Sequence, residues 1–212
     1  MEDKKLFIST KFSGKMEGMQ GLTTSCLDNP ICLARMKDKN CVCSKCYAAR
    51  YLNMRPLARK RYSENTQILM EPLGDKDIPV VNASIFRFES FGDLLSMKHL
   101  CNYITIARRN PNTTFTLFTK MKSVILDYLH LGELFPDNFL IVLSQSAIDS
   151  TTSTEYSELL ELCPNCKVFR VFTKKYAEDD HIPINCGGNK CIKCQRCYKR
   201  DNHEHFINEI LK

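Results

Sequence analysis

Twelve of the 212 residues are cysteines, and they fall in groups. Four close the chain as Cys186, Cys191, Cys194 and Cys197, the last three spaced by two residues. A C-x2-C-x2-C run wraps a loop around one object, and bacterial iron–sulfur ligation uses that spacing with a further cysteine from elsewhere. Cys186 is placed to be the fourth ligand, so a [4Fe-4S] cluster is the first reading. Zinc is the alternative, because it takes two separate C-x2-C hooks. Cys163 and Cys166 form one hook that could pair with Cys191 and Cys194.

Five more cysteines, Cys26, Cys32, Cys41, Cys43 and Cys46, precede a helix expected to start at Tyr47. A helix N-terminus favours negative charge, and a cluster held by four thiolates is an anion. Cys26, Cys32, Cys43 and Cys46 are therefore the candidate metal ligands here, with Cys41, one residue from Cys43, as the spare. Cys101 stands alone in an apolar helical stretch and reads as a small buried hydrophobe.

The third chemical feature is Glu89-Ser90-Phe91-Gly92-Asp93, at the end of an expected strand. Its glycine permits a tight turn, and its acid could take an ammonium group, so Glu89, Ser90, Gly92 and Asp93 are candidate cofactor-binding residues. The competing reading has Asp93 capping the next helix. Thr119-Lys120 and Ser144-Gln145 end the following two strands and would line the same rim. No Ser/His/Asp arrangement, phosphate loop or paired-carboxylate site stands out, and His203 and His205 read as solvated tail residues.

Charge follows the cysteines. Residues 34–62 carry nine Lys and Arg against Asp38 alone, a local excess larger than the net +6 of the whole chain. Residues 190–200 add Lys190, Lys193, Arg196, Lys199 and Arg200 with no acid. Two readings stand: a solvated face that also offsets thiolate charge, or a patch for phosphate or nucleic acid. No interleaved aromatic platform or recognition-helix signature is visible in the sequence.

The elements that must position these residues follow from pattern. Helix is expected over 47–70 with a break near Pro56, and over 96–109, 123–134 and 154–162; strand over 80–88, 114–118, 139–143 and 167–173. Such alternation builds right-handed βαβ units and a mainly parallel sheet. Too few repeats are present to close an eight-fold barrel, so the fold class is α/β, a partial open β/α barrel with a cysteine-rich C-terminal extension. The expected division is 1–182 for the barrel and 183–212 for the metal-binding extension. Ligands in such folds sit at the carboxyl ends of the strands.

The chain is 43% hydrophobic and 25% charged, which excludes a disordered, collagen-like or coiled-coil protein. No apolar run approaches the roughly 18 residues of a membrane span, and the N-terminus lacks the apolar core of a signal peptide. A cytoplasmic protein without membrane contact is expected, and a reducing compartment turns twelve thiols toward metal rather than disulfides.

Two resemblances rest on these residues. Thr24-Ser25-Cys26, Cys32, Cys43, Cys46-Tyr47-Ala48, Glu89 to Asp93, Ile106 to Pro111, Phe118-Thr119-Lys120 and the closing cysteine run resemble the phage family labelled gene product 88. The order of parts more distantly resembles radical S-adenosylmethionine enzymes: cysteine loop, helix, then a strand ending in Gly-acid. That likeness implies a working cluster at the first cysteines, S-adenosylmethionine near Gly92-Asp93, and an auxiliary cluster at Cys186–Cys197. The C-x3-C-x2-C spacing of that superfamily is missing, and a fourth thiolate from Cys26 or Cys32 would close the open iron. The alternative function is a non-catalytic zinc or iron–sulfur protein whose basic cysteine loops bind nucleic acid.

Overall fold

The computed structural model describes residues 5–200 and 204–211. His203 lies outside the described residues, as do residues 1–4, where the leader was sought. Seven strands form one sheet in sequence order: β1 (Ile8–Ser9), β2 (Gln20–Leu22), β3 (Ile85–Phe88), β4 (Thr114–Thr119), β5 (Phe139–Ile148), β6 (Lys167–Phe172) and β7 (Phe206–Ile210). Only β1 and β2 pair antiparallel; every later neighbour is parallel. The sheet is open, with β1 and β7 as its edges.

Strands laid down in order by crossovers of one hand put their helices on one face. That face carries Phe86, Phe88, Phe115, Leu117, Phe139, Ile141 and Val168. They pack against Leu100, Tyr103 and Ile104 of α4 (Met97–Arg109), Ile125 and Tyr128 of α5 (Lys122–His130) and Leu159 of α6 (Ser157–Leu162). The alternate residues of the same strands point the other way, and there Ile85 meets Met19, Tyr198, Cys191, Ile192 and Cys197. The closing cysteine run therefore covers the second face of the sheet. Its own last strand, β7, extends that sheet beside β6, so the run lies between two strands rather than beyond the last one.

The expected long helix is two, α2 (Tyr47–Met54) and α3 (Pro56–Leu69), because Pro56 opens α3 where its missing N–H costs nothing. Strand β3 starts at Ile85 rather than Val80: the Val81 N–H goes to Asn110 Oδ1 (2.8 Å), and Val80 is 80% exposed. Helix α5 stops at His130, where Gly132 takes φ +77° and donates to the Leu129 carbonyl. Strand β5 runs past Leu143 to Ile148, its pairing with β6 shifting register between Ser144 and Ile148. Four elements lie outside the expected ones: α1 (Pro30–Lys37), α7 (Lys174–Asp179), the one-turn α8 (Cys191–Cys194) and β7. Cys101 is exposed on α4, not buried, so its neighbours' apolar character belongs to the opposite stripe of that helix. No helix among the described residues is long and apolar enough to cross a membrane.

Buried asparagines pin the segments between elements. Asn65 on α3 accepts from Phe7 N (2.8 Å) and donates to the Phe7 and Thr23 carbonyls at 2.9 and 3.0 Å. Asn102 does the same for Leu73 N and the carbonyls of Leu69 and Glu71. An amide side chain offers both donor and acceptor, so one buried residue satisfies backbone groups that a loop cannot pair internally. Asn65→Ala should strand these groups away from water and lower stability by about 2–4 kcal/mol in chemical denaturation. A loss within experimental error would mean that this tie contributes nothing.

Candidate functional site

The first cysteine group gathers at the carboxyl ends of the strands. Cys26 follows β2, and its N–H donates to the Phe91 carbonyl. Cys32 is buried on α1, whose N-cap Asn29 accepts from Ile31 N (2.9 Å) and Cys32 N (3.2 Å). Cys43 lies in a short 3-10 turn, and Cys46 caps α2. The Cys26 thiol donates to Cys46, which is therefore held below the usual thiol range; the N–H groups of Ala49 and Ala48 and the charge of Lys120 add to this. Cys26 is pushed up by the same bond and by burial. Burial raises Cys32, with the Asp93 and Glu89 carboxylates adding to it. Burial also raises Cys43, to about 11, against the pull of Lys120. Cys41 is buried and joins this exchange: its side chain hydrogen-bonds to Cys43 and helps raise it, its sulfur accepts from Cys43 N (3.4 Å), and its backbone bridges Ala147 on β5.

The Glu89–Asp93 turn stands directly against these thiols. Glu89 takes a left-handed φ of +58°, rare for a non-glycine residue, which turns its carboxylate into the interior. There it accepts from Thr24 N (3.1 Å), Thr24 Oγ1 (2.9 Å) and the Tyr103 hydroxyl (2.6 Å). His99 Nε2 lies 3.4 Å away. Burial raises Glu89 to about 7 despite these bonds, and burial keeps His99 neutral by lowering it to about 3. Asp93 accepts from Arg35 (3.1 Å), Lys120 N (3.1 Å) and the Thr119 hydroxyl. It does not cap the next helix, since Ser96 does. Gly92 has no room for a side chain: a Cβ would stand 2.2 Å from Thr24 Oγ1 and 2.7 Å from the Thr24 carbonyl. Glu89, Gly92 and Asp93 are thus committed to the protein's own network. Ser90 differs, because its Oγ is buried and has no hydrogen-bond partner.

The second group converges as well. Cys186, Cys191, Cys194 and Cys197 line one small pocket of about 30 Å³ together with Lys15 and Tyr198. Lys15 Nζ donates to Cys186 Sγ (3.6 Å) and pairs with Glu209. Thr116 of β4 donates to the Cys197 carbonyl (3.1 Å), and Lys167 of β6 holds the carbonyls of Arg196 and Lys199. Burial raises Cys197 to about 12, opposed by the charge of Arg87. Cys163 and Cys166 form a separate pair whose thiols hydrogen-bond to each other, with Cys166 fully buried. Among the described residues, no three Cys, His, Asp or Glu side chains are gathered as they would be around a single metal ion.

Arg87 was not singled out in the sequence, and it links the two groups. It sits on β3 facing away from the helices, with its guanidinium 3.6 Å above the Phe118 ring. Its charge acts on Cys191 and Cys197 and also reaches Tyr47, beside Cys46. Its Nε is buried without a hydrogen-bond partner. The available signal was a charge inside the apolar run Ile85–Phe88, where a strand covered on both faces should have none.

The two basic segments differ in space. Around the closing cysteines, Lys190 pairs with Glu17 (2.9 Å), Arg196 with Glu204 (2.8 Å) and Arg200 with Asp137 (2.8 Å). Acids outside the run, two of them distant in sequence, thus offset it. In the first segment Arg35 is taken by Asp93, whereas Lys37, Lys39, Lys45, Arg50, Arg55 and Arg59 are exposed. His205 is half-buried, its Nδ1 3.4 Å from the Cys166 carbonyl, rather than solvated.

The Glu89 carboxyl gives a pH test of this rim. Its folded pKa is raised from 4.5 to about 7, so the native state binds a proton that the unfolded chain releases. The stability this supplies is complete below pH 4.5 and is lost as pH rises through about 7. Glu89→Gln should remove that loss, so its melting temperature relative to wild type climbs across this window. A constant difference between the two proteins over the same range would show that Glu89 does not titrate as described.

No curated protein and no solved structure matches the chain. A family model described as gene product 88 matches residues 8–208, a span that takes in both cysteine groups, the Glu89–Asp93 turn and every strand except the end of β7. The chain belongs to the gene product 88 family.

Proposed function

We propose that the protein binds two iron–sulfur clusters, one held by Cys26, Cys32, Cys43 and Cys46 and one by Cys186, Cys191, Cys194 and Cys197. The observation that carries this reading is the half-buried Arg87, whose Nε is buried without a partner and whose charge acts on the Cys191 and Cys197 thiols from the sheet. A buried cation lacking its full set of hydrogen bonds is costly unless an anion answers it. A cluster ligated by thiolates supplies that anion, and Lys15 and Lys120 stand against the same two groups. Metal binding would draw the thiols of each group together and contribute folding energy. In this reading the sheet is a partial β/α barrel, and the closing cysteine segment is an extension laid across its open side.

Each cluster, when bound, supplies one-electron redox chemistry. The chain's own residues would then set its environment: Arg87, Lys15 and Lys120 favour the more negative state. Four thiols are available to the first cluster, and Glu89 and Asp93 are already held by Thr24, Tyr103, Arg35 and Thr119. An S-adenosylmethionine amine would find its acids taken. Electron transfer or redox sensing fits this site better than cleavage of that cofactor.

Anaerobic reconstitution should give about eight irons per chain and the broad visible absorption of thiolate–iron charge transfer. Cys46→Ser and Cys194→Ser should each lose about half of the iron. Zinc retained in place of iron, in a colourless protein, would overturn the reading in favour of structural zinc.

The closing segment gives a separate test. It contributes few apolar residues, and Cys194 itself is exposed. Cys194→Ala should therefore speed proteolysis between Pro183 and Arg200 in the reconstituted protein. Unchanged cleavage and unchanged metal content would remove Cys194 from the ligand set.

A further inference from the structure

Beside the first cysteine group lies a pocket of about 320 Å³, which the cluster reading does not use. Helix α2 supplies one wall with Tyr47, Arg50, Tyr51 and Met54, the i, i+3, i+4, i+7 stripe of a helix. The opposite stripe, Ala48 and Leu52, is buried. Ordinary burial does not explain the outward stripe, since Tyr47 is 61% and Met54 65% exposed. Phe91 forms the floor, with Tyr51 4.7 Å, Tyr62 5.5 Å, Tyr47 5.9 Å and Phe12 6.5 Å from it, ring centre to ring centre. Lys11 and Arg50 stand at the mouth, both exposed. Ser90, a residue only 4% exposed whose buried Oγ has no partner, also belongs to the lining. The Tyr47 hydroxyl is held by the Ser90 carbonyl, which fixes the ring at the edge of the pocket.

We propose that this pocket binds one nucleotide, its base stacked on the tyrosine rings and its phosphate between Lys11 and Arg50. Three requirements meet here. Flat aromatic surface stacks any base and is worth about 1–3 kcal/mol per base. Paired cations at the mouth select an anion and reject a cationic ligand. The volume is at the small end of ligand pockets, which suits one nucleotide rather than a longer bound segment. Ser90 Oγ supplies a hydrogen bond to a polar edge of the base or sugar, the bond that the folded chain leaves unmade. The exposed Arg55 and Arg59, close in sequence to the stripe, are suited to the phosphates of neighbouring nucleotides in a strand. The proposal is independent of cluster binding, since none of the pocket's lining residues is a cysteine.

The test uses the full chain at low salt. Adenosine monophosphate is titrated by calorimetry and a short labelled single strand by anisotropy, with a duplex and inorganic polyphosphate as comparators. Binding of the mononucleotide assigns the site to free nucleotide, and binding of the strand alone assigns it to nucleic acid; either outcome supports the proposal. Tyr51→Ala should weaken binding about tenfold. Arg50→Ala should weaken it and flatten its salt dependence. Ser90→Ala removes a hydroxyl with no partner in the protein, so it should fold normally and still lose several-fold in affinity. The proposal is overturned if neither ligand binds, if polyphosphate binds as tightly as the strand, or if Tyr51→Ala and Ser90→Ala leave affinity unchanged while melting like wild type.

Discussion

The contact between the turn at Thr23-Thr24 and the turn at Glu89–Asp93 organises the rim of the sheet. Thr24 gives both its N–H and its hydroxyl to Glu89, and Gly92 comes so near that no Cβ fits. Every part of the first cysteine loop is then tied to that second turn. Cys26 N bonds the Phe91 carbonyl, Asn29 bonds the Asp93 carbonyl (3.1 Å), Arg35 pairs with Asp93, and Tyr47 bonds the Ser90 carbonyl. Three stretches of chain, the segment after β2, α1 with its cap and the start of α2, are placed by one five-residue turn. Its positive φ at Glu89 is a strained conformation of order 1–3 kcal/mol, held because the carboxylate is bonded on several sides.

The other face of the sheet is governed by charge. Arg87, Lys15 and Lys167 come from three places in the chain and converge on the closing cysteine run. Lys167 is buried and answered by two backbone carbonyls, so its charge is partly neutralised by dipoles. Arg87 is answered less fully, by a ring and by Tyr198. A sheet face lined with cations would ordinarily be solvated. Here it is covered by thiols, whose ionised form pairs with those cations. Protonated thiols leave that demand unmet, and in the cluster reading proposed above thiolate ligation would satisfy it. Stability of this face and metal content should therefore move together.

Much of the architecture was legible because parallel strands and amphipathic helices announce themselves by period. Phe139–Leu143 and Lys167–Phe172 stand where the apolar runs placed them, and Pro56 and Asn110 end their helices as their chemistry requires. What escaped has no local signal. Strand β7 reads as tail because its apolar residues, Phe206, Ile207 and Ile210, gain meaning only beside β6. Val80 and Val81 read as strand because their side chains favour it, yet a side chain thirty residues away takes the backbone bond. Charge misled in the same manner: Lys190, Arg196 and Arg200 form a basic run in sequence and a set of ion pairs in space. The grouping of cysteines along the chain was legible, and the adjacency of Cys32 to Asp93 and Glu89 was not. The commitment of those two acids to Thr24, Tyr103 and Arg35 was not.

The aromatic residues of α2 show how one helix serves two masters. The pattern predicts helix over 47–70 with a break near Pro56 and shows no interleaved aromatic platform in it. Two stripes explain the composition. Ala48 and Leu52 are buried in the same small core as Cys26, Cys32 and Tyr62, and small or branched side chains there let the helix approach the thiols. Tyr47, Arg50, Tyr51 and Met54 occupy the other side, where large side chains cost nothing in packing and build the pocket wall. Cys46 caps this helix and receives its first N–H groups, while Tyr47, the next residue, bonds the turn that carries Ser90 and Asp93. One short helix therefore serves both features: one stripe of it builds the pocket wall, and its N-terminal N–H groups reach the Cys46 sulfur, without any cysteine entering the pocket.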